Sequence, residues 1–192
     1  MIKMGKTIKS MIQESIETKK NSIELASKIE EAAKLIIKAF KNKNKVFLAG
    51  NGGSASQASH IAAEFTGRYK LERKGMPAIS LSSDLSAITA IGNDYGFDAI
   101  FERQLEALGN ENDVLILLST SGNSQNIIKA AEKAKHMKIK VITLLGKNGG
   151  KMKNKSDIEI IVPSDNTPRI QECHIMIMHI ICEIVDNKLF GK

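Results

Sequence analysis

Apolar residues along the chain follow two rhythms. Over residues 7–42 they recur every three or four positions, at Ile8, Met11, Ile12 and Ile16, then at Ile23, Leu25, Ala26, Ile29, Ala33, Ile36, Ile37 and Phe40. That spacing lines one face of a helix. Asn21-Ser22 interrupts it, and Ser22 is suited to cap a second helix. From Lys45 the pattern changes to short, nearly unbroken apolar runs over 45–49, 77–81, 114–118, 140–145 and 157–162. These read as five buried strands. Helical patterns fill the gaps over 56–66, 83–91, 97–108, 124–137 and 169–189. Gly92 is placed to end the second of these as a left-handed cap, leaving 93–96 as a turn. Residues 146–156 read as a polar Gly- and Lys-rich loop with room for a short helical turn. Strands alternating with helices predict an α/β fold of three layers: a five-stranded parallel sheet flanked by helices, preceded by N-terminal helices. Those first helices (1–42) come before any strand, so they can wrap a partner subunit as easily as their own sheet.

Ligands of such sheets sit beyond the carboxyl ends of the strands. Two unusual turns lie there. After the third strand comes Ser119-Thr120-Ser121-Gly122-Asn123-Ser124, a hydroxyl-rich turn entering a helix. Free backbone N–H groups and the positive end of a helix make this an anion site, suited to phosphate. After the first strand comes Gly50-Asn51-Gly52-Gly53-Ser54. It lacks the third glycine and distal acidic residue of a dinucleotide fingerprint, and the Gly-Lys-Ser/Thr of a Walker loop. It is either a tight strand-to-helix turn or a place where backbone approaches a polar substrate. The presence of two such turns favours a ligand, and no nucleotide cofactor is expected.

His60 and Glu64 lie four apart on the helix after the glycine turn, about 40° apart in rotation, and share a face. On the last helix Gln171 and His179 are eight apart, offset by about 80° and roughly 12 Å of rise. His174 points about 140° away from His179 and reads as a core residue. Asn93-Asp94 and Arg68 read either as surface residues or as further contacts to a sugar and its phosphate.

The chain has 192 residues, 42% hydrophobic and 26% charged, which suits one soluble globular domain over 1–192. No run reaches the ~18 apolar residues of a membrane span, and residues 1–20 lack the apolar core of a signal peptide. A cytoplasmic, membrane-free protein is the expectation. Cys173 and Cys182, nine residues apart on one helix, are separated by roughly 13 Å. That exceeds disulfide reach, and both read as reduced core residues. The net charge of +7 is spread along the chain with few aromatics, which favours a small anionic substrate over nucleic acid.

With these elements in hand, the chain resembles the sugar isomerase (SIS) domain family and, within it, the phosphoheptose isomerases. The runs GNGGSASQASHIAAEFTGR (50–68), IGNDYGFDAIFERQLEALG, LLSTSGNSQNIIKA and PRIQECHIMIMHIICE carry the resemblance, which covers almost the whole chain. It implies phosphate binding by Ser119, Thr120, Ser121 and Ser124. It implies sugar contacts from Asn51, Gly52, Gly53, Ser54, Asn93, Asp94, Glu64 and Gln171, with Arg68 a second phosphate anchor. It implies one zinc ion (Zn2+) per subunit on His60, Glu64, Gln171 and His179, and a homotetramer with active sites at subunit contacts. The implied reaction interconverts sedoheptulose 7-phosphate and D-glycero-D-manno-heptose 7-phosphate through an enediol, with Glu64 as base and His179 as acid, at the start of heptose biosynthesis for lipopolysaccharide or capsule. Glutamine lies outside the usual zinc ligands, and a zinc-bound carboxylate is a weaker base. The rival readings are a non-catalytic SIS regulator that senses a phosphosugar or binds protein, and a nucleic-acid binder resting on charge alone.

Overall fold

The computed structural model describes residues 4–191. Helix α1 (Met4–Asn21) leads through a 3-10 turn (Ser22–Leu25) into α2 (Ala26–Lys41). The remaining elements alternate: β1 (Val46–Gly50), α3 (Gly53–Thr66), β2 (Ala78–Ser80), α4 (Leu85–Tyr95), α5 (Ile100–Leu108), β3 (Val114–Ser119), α6 (Gln125–His136), β4 (Lys140–Leu145), β5 (Ile158–Ile161) and α7 (Thr167–Phe190). The strands form one parallel sheet in the order β2-β1-β3-β4-β5, with Val46 opposite Val114 and Val114 opposite Lys140.

The apolar strand runs have a direct cause. Parallel strands buried on both faces need apolar residues at every position. All of β1 and β3 is buried, and alternate residues serve opposite layers. Val46, Leu48, Val114, Ile116 and Leu118 pack with α2, α3 and α7. Phe47, Ala49, Leu115 and Leu117 pack with α5 and α6. Each buried Leu or Ile contributes roughly 1.5–3 kcal/mol. Truncating Ile116 to Ala at the sheet centre would cost about 2–5 kcal/mol.

The sequence reading needs three corrections. Ser22 does not cap α2: it lies within the 3-10 turn, its Oγ donates back to the Thr18 carbonyl at 2.8 Å, and α2 starts only at Ala26. Helix α3 begins at Gly53, not at Ser56, because Gly52 takes φ 54° and ψ −124° and turns the chain at once. Gly53 and Ser54 are therefore in the first helical turn. Gly92 does not end α4: the helix continues through Asn93 and Asp94 to Tyr95, and the positive-φ residue is Gly96. Nothing crowds Gly92 that would force a turn there. Helix α4 buries none of its residues fully, and Leu85, Tyr95 and Phe97 stand exposed. On α1, Ile8, Met11, Ile12 and Ile16 are each at least half exposed. Polar contacts nonetheless fix α1 to α7: Ser15 Oγ donates to Glu172 Oε2 at 2.6 Å, and Arg169 Nη1 donates to the Met11 carbonyl at 2.6 Å.

Candidate active site

The two turns leave neighbouring strands, β1 and β3, where the strand order reverses direction in sequence. Such a reversal opens a crevice at the carboxyl edge. In the serine turn, Ser119 Oγ accepts from Gly122 N at 3.1 Å, and Ser121 Oγ accepts from Asn123 N at 3.2 Å. Ser124 occupies the N-cap position of α6 but makes no cap bond, so its hydroxyl is free for a ligand. The first amides of α6 add their N–H groups and the positive helix end.

The loop after β4 builds the back wall of this turn, which the sequence did not announce. Met152 N donates to the Gly122 carbonyl at 3.0 Å, and Lys151 N donates to Asn123 Oδ1 at 3.0 Å. Gly122 (φ 64°) lies so close to Gly149 that a Cβ there would overlap the Gly149 carbonyl. His174, fully buried on α7, contacts the Leu145 carbonyl through Nε2 at 3.0 Å, just where that loop begins. Burial pushes its pKa down to about 4, so it is a neutral donor, as its core assignment required.

At the glycine turn, Asn51 and Asn126 exchange two amide hydrogen bonds of 2.9 Å each. Asn126 is the second residue of α6. Its side chain spans the gap between the two turns, and sequence reasoning had no signal for it. Gly53 faces Gln171, whose Nε2 would lie 2.8 Å from a Cβ at Gly53. Gln57 Nε2 donates to the Gln171 carbonyl at 2.7 Å and ties α3 to α7.

Farther along the same two helices, His60, Glu64 and His179 converge. His60 Nε2 lies 3.2 Å from Glu64 Oε1 and 3.0 Å from His179 Nε2. The three ligand-type atoms fall within 4.8 Å of one another. Two imidazole nitrogens and a carboxylate oxygen are good zinc donors, and tetrahedral bonds of 2.0–2.1 Å set ligand atoms roughly 3.3 Å apart. The donor set and spacing fit a metal ion. Gln171 does not join this cluster within one chain, because eight residues of α7 separate it from His179, roughly 12 Å of rise. Burial, then the neighbouring His60, lowers the pKa of His179, while Glu64 acts in the opposite direction.

Tyr69 stacks on His179, with ring centroids 5.7 Å apart and planes inclined by 17°. It is held by the segment after α3, which a buried ion pair anchors. Arg73 Nε donates to Asp186 Oδ1 at 2.7 Å, both side chains being 1% exposed. Arg73 also donates to the carbonyls of Glu64 at 2.8 Å, Phe65 at 3.0 Å and Gly67 at 3.2 Å, which satisfies the last turn of α3. Arg68 is exposed, 3.5 Å from Glu72, at the far end of α3 from the glycine turn. Asn93 and Asp94 are exposed and bonded to each other at 2.8 Å. A concavity of about 590 Å³ at the amino ends of the strands is lined by Lys135, Lys138, Lys140 and Lys155, three of which pair with carboxylates: Lys138 with Glu111, Lys140 with Asp157 and Lys155 with Glu132. No described helix is long and apolar enough to cross a membrane.

The family model of the SIS domain matches residues 8–146. The phosphoheptose isomerase of Helicobacter pylori (strain P12) is 57% identical over 177 residues, covering 92% of each chain. That of Sulfurimonas denitrificans is 50% identical over 191 residues, covering 98% of each. Among solved structures, a phosphoheptose isomerase from Francisella tularensis matches with a TM-score of 0.92 and 41% identity, over 95% of this chain and 97% of that one. Fold and site thus define a SIS-domain protein. Within that class, the chain belongs to the phosphoheptose isomerase family.

Proposed function

We propose that the chain is an isomerase interconverting sedoheptulose 7-phosphate and D-glycero-D-manno-heptose 7-phosphate. The observation that carries this is the convergence of Glu64, His60 and His179 on a chain that also holds a phosphate-type turn. Glu64 removes a proton from C1 of the ketose while His179 gives its proton to the C2 carbonyl oxygen, which yields the 1,2-enediol. Glu64 then returns its proton at C2, and O1 passes its own proton to His179 and becomes the aldehyde oxygen. Acid–base help of this kind contributes roughly 10²–10⁴-fold. Ser119, Thr120, Ser121 and Ser124 hold the phosphate, and Arg68, beyond the far end of α3, serves as a second anchor only from another subunit. Asn51, Gly52, Gly53, Ser54, Asn93, Asp94 and Gln171 meet the sugar.

His60, Glu64 and His179 would hold zinc, which when bound would supply positive charge to polarise the carbonyl. Gln171 completes that set only if it comes from another subunit. A homotetramer with sites at subunit contacts suits this need, and the exposed apolar faces of α1 and α4 support it. The whole chain then acts as one SIS domain in the cytoplasm, supplying heptose for lipopolysaccharide or capsule. A regulatory SIS protein would need neither Glu64 nor His179.

The test is a direct assay of heptose phosphate conversion. Wild type should be active, and Glu64→Gln and His179→Ala should lose at least 10²-fold in kcat. Zinc binding measured by equilibrium dialysis should weaken in His60→Ala. An inactive wild type, assayed with and without zinc, would falsify the reaction; a fully active Glu64→Gln would remove Glu64 from its role.

A further inference from the structure

The reciprocal amide pair of Asn51 and Asn126 has a place in the chemistry. Asn126 is 1% exposed, and the only partner its side chain meets among the described residues is Asn51. A buried Asn in the first turns of a helix would ordinarily be better replaced by an apolar residue, since it competes with the backbone and needs its amide satisfied. Here both amides are satisfied by each other. Asn51 lies in the turn that meets the sugar. Asn126 lies in the helix whose first amides and preceding hydroxyls meet the phosphate. One pair of hydrogen bonds therefore sets the spacing between the two ends of the substrate.

Each amide uses one N–H and one lone pair in this exchange. Asn51, only half-buried, keeps its second N–H and a second lone pair, and the pair fixes the direction in which these point. We infer that Asn126 is a positioning residue for the isomerisation. It holds Asn51 so that the sugar lies at a fixed distance from the bound phosphate. The inference rests on the isomerase reading above. Its leverage comes from geometry, because a misplacement of about 1 Å remote from the reacting atoms can cost on the order of 10²-fold in rate.

The experiment is a kinetic double-mutant cycle on the full-length protein, with Asn126→Ala, Asn51→Ala and the double variant, and inorganic phosphate as a competitive probe. Asn126→Ala should lower kcat by about 10- to 100-fold while the inhibition constant for inorganic phosphate stays within about threefold of wild type. In the Asn51→Ala background, adding Asn126→Ala should change kcat by less than about threefold, because the residue acts through Asn51. If Asn126→Ala does not fold, Asn126→Ser, which keeps a small polar group, takes its place in the cycle. Multiplicative losses in the cycle, or a loss matched by weaker phosphate inhibition, would overturn the inference and leave Asn126 as a brace of the fold or of the phosphate turn. Either outcome appears with an active wild type; an inactive wild type would instead remove the isomerase reading beneath it.

Discussion

The ion pair of Arg73 and Asp186 gives the sharpest quantitative test of how the site is held. Both side chains are 1% exposed, and Arg73 also donates to three carbonyls at the end of α3. Replacing Asp186 by Asn keeps the shape but leaves a buried guanidinium without its counter-charge. Breaking a buried pair from one side costs about 3–5 kcal/mol, because the remaining ion stays desolvated. For a chain of this size that corresponds to a drop of roughly 6–20 °C in Tm. Replacing both residues, as Arg73→Met with Asp186→Leu, removes both charges and should cost less than the two single changes added together. Chemical denaturation of wild type, Asp186→Asn, Arg73→Met, Asp186→Leu and the double variant at one protein concentration measures this, since assembly would couple stability to concentration. Because Arg73 binds the carbonyl of Glu64, Asp186→Asn should also lower kcat for heptose phosphate at temperatures where it remains folded. Two single variants within 1 kcal/mol of wild type, or a double variant equal to their sum, would refute the reasoning.

Two further outcomes follow from the turn and its back wall. Gly122→Ala places a methyl against the Gly149 carbonyl at a backbone angle that costs an L-residue about 1–2 kcal/mol before any clash. The two loops must separate, so KM should rise on the order of tenfold or more while a melting curve shows a folded protein; an unchanged KM would remove the turn from substrate binding. His174, depressed to about 4, is neutral when folded and takes up a proton on unfolding below its usual value of 6.5. Its contribution to stability is complete above pH 6.5 and is lost as pH falls towards 4, by about 2–3 kcal/mol at pH 4.5. Urea midpoints at pH 7 and 4.5 should therefore differ more for wild type than for His174→Gln, and parallel pH slopes would count against a neutral buried imidazole.

The fold was legible in the sequence because strands buried on both faces leave little choice of residue. The runs at 45–49, 114–118 and 140–145 lie within a residue of the strands observed. Boundaries set by a single backbone angle were harder. The buried apolar residues of α3 begin only at Ala58, so its start at Gly53 rests on the positive φ of Gly52. Gly92 looked like a terminator because glycine often is one, yet the chain turns at Gly96. At the site, the pairing of His60 with Glu64 followed from helical spacing, whereas their meeting with His179 needed the packing of α3 on α7. Asn126, Tyr69, Arg73 and Asp186 gave no signal at all. Each acts through a partner distant in the chain, and no local pattern records such a partner.

The site also has a place in the order of folding. Asn51 and Asn126 are 75 residues apart in the chain, although their strands are neighbours. Pairing β1 with β3 closes a long loop, and such contacts form slowly because chain entropy must be lost before they stabilise anything. Until that ladder exists, the serine turn and the glycine turn are separate pieces of chain. A sugar phosphate added to the unfolded protein has nothing to hold, so it cannot guide the chain towards the native state. It adds its binding free energy only after the ladder is complete. Its kinetic effect falls on the exit from the native state: ligand lengthens the life of the folded protein and leaves the rate of folding where it was.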